Sequence, residues 1–152
     1  MVRSMDAPEI DAIADLYERD FLGWLEAQAM ALRAGGTLDR LHLAEEIEGL
    51  ARKERDELRR RITTLVEHLL KLEHSRNERP RRRWEATIAE QRRALADLLT
   101  ESPSLRRLLP ATLERAWPDA CGRVEGSFAK HEPGVELGLP TQPTMGIEDV
   151  LG

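Results

Sequence analysis

The chain has 152 residues, 34% of them charged and 4% aromatic, with a formal net charge of −5. Such a length is the usual span of one domain and can hold a core without disulfides or metals; the single cysteine, Cys121, excludes an internal disulfide and fits a reducing cytoplasm. No run approaches the roughly 18 apolar residues of a membrane span, and the first thirty residues lack the apolar segment of a signal peptide.

Met1–Met5 is expected to be disordered. Asp6, with Glu9 three residues on, reads as a capping box opening a helix near 8–33. Ile13, Tyr17, Phe21, Trp24, Leu25 and Leu32 share one face of it, and Gly35-Gly36 ends it. The dominant element follows, a helix from Asp39 to about Ser75. Apolar residues recur at Leu43, Ile47, Leu50 and Ala51, then at Leu58, Ile62, Leu65, Leu69 and Leu72, in steps of mostly three or four. Asp39 is its N-cap, and Leu38 with Leu43 forms a hydrophobic staple. Every residue from Arg52 to Glu57 is charged, and Asp56–Arg60 and Glu57–Arg61 are acid-before-base pairs one turn apart. This part of the rod is predicted to stand in solvent.

Asn77-Glu78-Arg79-Pro80 reads as a turn, followed by a helix over 81–100 with Trp84, Ile88, Leu95 and Leu98 inward. Ser102-Pro103 signals a new start, with Ser102 as N-cap and a short helix at 103–109. Pro110 biases Leu109 away from helical geometry and opens the next helix. Pro118 is expected to kink or end that helix, which otherwise runs to about Lys130. Residues 133–143, with three prolines and two glycines, read as extended loop. Thr144 is the expected cap of a last turn from Met145 to Leu151. Leu137, Leu139, Met145, Ile147, Val150 and Leu151 are too many apolar residues for a free tail and are expected to pack back. The pattern predicts a single all-α domain over 1–152, an elongated antiparallel bundle built on helix 39–75. One core is expected near Ile47 with the aromatic first helix, the other near Leu65 with Trp84 and Ile88. A second copy filling a lateral groove is an open partner, so a homodimer is one expectation.

The run LDRLHLAEEIEGLARKERDEL, then HLLK, WEATIAEQRRALADLL and ESPSL, resembles the family of bacterial proteins called DUF29. The upstream run LYERDFLGWLEAQAMALRAG and the ending PTQPTMGIEDVL fit the same pattern, so the resemblance covers nearly the whole chain. It implies a small, all-helical domain and brings no assigned activity. The positions it marks as characteristic are Glu45, Glu46, Glu48, His68, Lys71, Trp84, Thr87, Gln91 and Arg92. Pro118, and Ala51 where the family pattern favours glycine, are departures.

Three residue groups carry candidate chemistry. His42, Glu45 and Glu46 share a helix face and could present a metal or an acid–base pair. No Glu-x-x-His occurs, as a carboxylate-bridged di-metal bundle requires. The favoured reading is an acidic first turn with a surface histidine, and no metal or cofactor. His68 borders the apolar stripe beside Lys71; a general base is conceivable there, a histidine capping the core more so.

The third group is basic. Residues 1–50 hold 4 basic and 11 acidic groups, residues 51–100 hold 14 and 9, and residues 101–152 hold 5 and 8. Arg76, Arg79, Arg81, Arg82, Arg83, Arg92 and Arg93 cluster with Trp84 in the middle third, where guanidinium forks and an indole suit phosphates and bases. Glu78, Glu85 and Glu90 interleave, and the charge split between the thirds leads to the expectation that at least two of Arg79, Arg82, Arg83 and Arg92 contact carboxylates of residues 1–50. No phosphate-binding loop, dinucleotide fingerprint, cysteine–histidine metal spacing or hydrolase elbow is present. The preferred function is a non-catalytic intracellular interaction or regulatory module with an unidentified protein partner. The alternatives are nucleic-acid binding through Arg76–Arg93 and an enzyme using Glu45, Glu46 or His68.

Overall fold

A computed structural model describes residues 7–152, so the expectations for Met1–Met5 and for the Asp6–Glu9 box lie outside the described residues and side chains. The described chain is all helical, without a strand. Its elements are α1 (Ala7–Arg19), α2 (Phe21–Ala34), α3 (Arg40–His74), α4 (Arg81–Glu101), a 3-10 helix (Pro103–Leu108), α5 (Leu109–His131) and α6 (Ile147–Leu151). They fall into two compact units, residues 1–53 and 54–152, and α3 supplies a helix to each.

In the front unit the expected helix 8–33 is broken at Asp20. Its backbone leaves helical geometry (φ −147°, ψ 82°), and its carboxylate accepts the Gly23 N–H at 3.0 Å. Gly23 lets the carboxylate sit close: a Cβ there would lie 2.4 Å from an Asp20 oxygen, and the side chain would have to swing aside. An acidic N-cap at the head of α2 thus outweighs a periodicity that runs on through it. At the other end Gly35 adopts φ +71°, and its N–H returns to the Ala31 carbonyl. Tyr17 meets Glu46, and Trp24 and Gln28 meet Asp39, so α1 and α2 run antiparallel to the start of α3. The expected core around Ile47 does not form. Ile47 is 63% exposed and Leu50 61%, while Trp24 is the buried anchor.

The rear unit is a three-helix bundle. Arg61 reaches Gln91 and Arg81 reaches the Leu72 carbonyl, so α3 and α4 are antiparallel. Arg59 meets Asp119 and Ser75 meets Glu132, so α5 runs parallel to α3 and antiparallel to α4. Leu58, Ile62, Leu65, Val66 and Leu70 of α3 are buried against Ile88, Leu95, Leu98 and Leu99 of α4 and Leu113, Trp117, Val124 and Phe128 of α5. Trp84, expected inward with Ile88, is only half-buried. The charged run ahead of this core is exposed from Arg52 to Asp56. There Arg60 pairs with Glu57 rather than with Asp56, while Glu57–Arg61 forms at 2.5 Å.

One proline expectation is corrected and the other narrowed. Leu109 is helical (φ −53°, ψ −50°) despite preceding Pro110, and its side chain is buried in the core. Pro118 does not end α5, which continues to His131. Pro118 and Glu114 are both exposed, so the carbonyl that loses its helical donor is on the wet side. Ser102 is the N-cap residue of the 3-10 helix, as expected, with its carbonyl accepting the Leu105 N–H, but its hydroxyl makes no cap bond and donates to Glu54 (2.9 Å).

After Glu132 an irregular strap returns over the bundle. Trp117 Nε1 donates to the Pro140 carbonyl at 2.9 Å, and Val135, Leu137, Leu139, Met145 and Ile147 pack on the core. The strap ends in α6, whose cap is Gly146 rather than Thr144: the Asp149 carboxylate accepts the Gly146 N–H at 2.8 Å. Val150 is fully buried.

Candidate functional site

The residues singled out by their pattern divide into those that hold the fold and those that meet at a cavity. Arg92 is of the first kind. Its Nε donates to the Val150 carbonyl (3.1 Å) and its Nη2 to the Asp149 carbonyl (2.7 Å). A guanidinium therefore satisfies the last carbonyls of α6, which have no helical donors. This corrects the expected pairing of Arg92 with a front carboxylate. Gln91 accepts from Arg61 Nη1 at 3.1 Å, and Thr87 returns its hydroxyl to the Arg83 carbonyl within α4.

In the front unit Glu46 accepts the Tyr17 hydroxyl at 2.6 Å. That bond to a carboxylate, with burial adding to it, pushes the Tyr17 phenol up to about 12. Glu45 and Glu48 are exposed. His42 is not the surface histidine expected: its ring stacks on Tyr17 with centroids 4.0 Å apart. Its Nδ1 lies 2.6 Å from Asp39 Oδ2, an acceptor, so Nδ1 carries the proton. Asp39 is the hub. It also accepts from Trp24 Nε1 (3.1 Å) and the His42 N–H (3.3 Å), and its own N–H goes to Gln28 Oε1 (2.8 Å). Burial would raise the Asp39 pKa, but the hydrogen bonds from His42 and Trp24 outweigh it and hold the carboxyl below its ordinary value. The same bond to Asp39 raises His42, against the opposing pull of burial. With His42 bound to Asp39 and Glu46 to Tyr17, the supposed His42–Glu45–Glu46 face is already committed. No group of three ligating side chains placed to hold a metal occurs among the described residues.

His68, Lys71 and Trp84 meet in the rear unit. They line a cavity of about 630 Å³ where α3 ends, α4 begins and α5 passes. The turn contributes Asn77, Arg79 and Pro80, α4 adds Arg83, and the last turn of α5 adds Ser127, Phe128 and His131, with Glu132 just past its end. His68 Nδ1 faces the Thr64 carbonyl at 2.8 Å and so carries its proton there, leaving Nε2 uncommitted. Lys71, nearly buried, is held by Glu67 at 2.6 Å. Glu132 accepts from Ser75 Oγ (2.5 Å) and the Arg76 N–H (3.1 Å), which fixes the turn. Of the other arginines, Arg81 donates to the Leu72 carbonyl at 2.9 Å, while Arg76, Arg79, Arg82, Arg83 and Arg93 are exposed.

The contributions of Asn77, Ser127, Phe128, His131 and Glu132 were not visible in the sequence. Ser127 and His131 stand one helical turn apart, the only local trace of a shared face. Cys121 is buried, and that burial pushes its thiol up, away from reactivity.

No curated protein and no solved structure matches the chain. A family model described as Domain of unknown function DUF29 matches residues 16–152, and the chain belongs to that family.

Proposed function

We propose that this protein is a non-catalytic interaction module whose front unit receives an amphipathic helix rimmed with basic residues. The observation that carries this is a set of large apolar side chains left in solvent. Phe21, Leu22, Leu25, Met30 and Leu32 on α2, and Leu41, Ile47 and Leu50 on α3, are each 40% exposed or more. All eight fall within 30 residues of sequence, whereas exposed apolar side chains are unremarkable when scattered singly. The charge of the unit selects the partner. Residues 1–53 carry 6 basic and 11 acidic groups, so a second copy would set acid against acid, while a Lys/Arg-rimmed helix complements them. A chain whose single thiol is buried suits a reducing, intracellular setting. No helix of the described residues is long and apolar enough to cross a membrane.

The enzyme reading has less support, since Glu46 is bound to Tyr17 and Glu45 stands exposed on the surface. Nucleic-acid binding has less as well. Residues 54–152 carry 17 basic and 17 acidic groups, which gives no net field for a polyanion.

The test uses two synthetic amphipathic peptides with the same leucine face, one rimmed with lysine and arginine, the other with glutamate. The basic peptide is expected to bind and to weaken by about tenfold in Ile47→Ser/Leu50→Ser. Equal binding of both peptides, or none, overturns the reading, as does light scattering that shows a tight homodimer occupying the face.

A further inference from the structure

We infer that the cavity at the α3–α4 turn is a binding site for a small phosphate ester carrying a planar ring, of about the size of a mononucleotide. Its volume, about 630 Å³, lies within the range of small-molecule sites. Two of its wall residues are free cations: Arg79 and Arg83 present exposed guanidinium groups with no ion-pair partner among the described residues. Lys71 on the same wall is paired with Glu67, and His68 and His131 add imidazole rings. The one carboxylate in the lining, Glu132, already holds Ser75 and the Arg76 N–H, so it is fixed to the turn.

The start of α4 adds to this. The helix has 21 residues, and Pro80 caps it without a side-chain hydrogen bond. The N–H groups of Arg83 and Trp84 both turn back to the Pro80 carbonyl, and that of Arg81 to Glu78. The Arg82 N–H has no backbone acceptor among the described residues. Two forked guanidiniums beside the positive end of a long helix match a phosphate in geometry and charge. Phosphate alone would leave the remainder of the cavity empty. Trp84 and Phe128 form its apolar wall, a surface for a planar ring, and Ser127 and Asn77 offer hydroxyl and amide groups beside them. A long nucleic acid is not what this site favours: Glu78 is 88% exposed on the same turn and Glu85 is exposed on the same helix, so the basic surface does not continue as a track.

The experiment is a calorimetric titration of the full chain with AMP, adenosine, inorganic phosphate and a short single-stranded RNA. Trp84→Phe assigns any fluorescence change among the three tryptophans. AMP is expected to saturate one-to-one, with adenosine and phosphate each weaker by at least about tenfold, and Arg79→Ser/Arg83→Ser weaker by about a hundredfold. Both arginines are exposed, so the variant should keep its circular dichroism; if it does not, Ser127→Glu, which sets a negative charge in the wall, is expected to abolish AMP binding. No saturable AMP binding at millimolar concentration overturns the proposal. So does AMP binding unchanged in the folded arginine variant or in Ser127→Glu. RNA binding about tenfold tighter than AMP through the same arginines replaces the small ligand with a nucleic acid.

Discussion

Trp24 and Trp117 are both fully buried indoles, and each donates its Nε1–H to an oxygen, but their surroundings differ in kind. Trp24 gives its proton to a carboxylate, Asp39, and its buried neighbours Gln28 and Asp39 are polar. Trp117 gives its proton to a main-chain carbonyl of the strap and lies in a cluster of eighteen other buried apolar residues from four helices and the 3-10 turn. The front unit is therefore specified by directional bonds and by ring contacts among Tyr17, Phe21, Trp24 and His42, and much of its apolar surface stays outside. The rear unit is specified by area removed from water and close packing. A unit of the first kind keeps surface available for association; one of the second kind has spent it internally.

Substitutions should separate the two regimes. Trp117→Ala is expected to cost about 4 kcal/mol in urea denaturation, since it opens a large cavity and frees the strap. Ile47→Ser should stay within about 0.5 kcal/mol, because its side chain is already wet. Comparable losses for the two would erase the contrast.

Asp39→Ala tests the front network directly. It strips the Trp24 indole and the His42 ring of their acceptor, and leaving such buried donors unpaired costs about 2 kcal/mol. Hydrogen exchange should show the loss in residues 20–50 and leave the Leu58–Leu70 amides protected. If the rear amides open equally, the polar hub does more than hold the front unit.

The pH dependence follows from the same hub. His42 is raised, so its contribution is complete below the ordinary histidine range and is lost as pH rises through its own raised value. Asp39 is lowered, so its contribution holds above the ordinary carboxylate range and is lost as pH falls through its lowered value. Exchange protection of the front unit should peak between those limits. Tyr17 is the single tyrosine, so phenolate absorbance reads it alone. A midpoint near 12 is expected, and an ordinary value near 10 would mean that the Glu46 bond is absent in solution.

The smallest effect concerns Gly35. Its φ of +71° is strained for any side chain, although a Cβ there would meet nothing. Gly35→Ala should cost about 1 kcal/mol, confined to the end of α2.

The sequence was most legible where structure is local. The helices read at 39–75, 81–100 and 110–130, the turn at 77–80 and the loop after 132 follow from spacing, proline and glycine, and the observed helices 40–74, 81–101 and 109–131 differ from them by at most one residue at either end. The core positions Leu58, Ile62, Leu65, Ile88 and Leu95 follow from the same stripe. Ile47 and Leu50 show where this stops: periodicity marks an apolar face but does not say whether anything covers it. Asp20 was hidden because an Asp inside a good helical pattern carries little weight as a cap when the apolar periodicity runs on through it. The Asp39 hub and the cavity were hidden for another reason. Their partners, Trp24, Gln28, Ser127 and His131, lie far from them in sequence, and no spacing rule connects them.

Pro118 has a consequence for how the molecule reaches its native state. It removes a hydrogen-bond donor from within α5, with 9 residues of the helix before it and 14 from it onward. Isolated helices of that length are marginal in water even without a proline, because nucleation is costly. The segment 109–131 is therefore a poor template on its own, and its helix leans on Trp117, Val124 and Phe128 meeting the apolar face of α3. Late docking of α5 is the expected consequence: truncating Val124 should speed unfolding more than it slows folding, and the reverse result would place α5 in the nucleus.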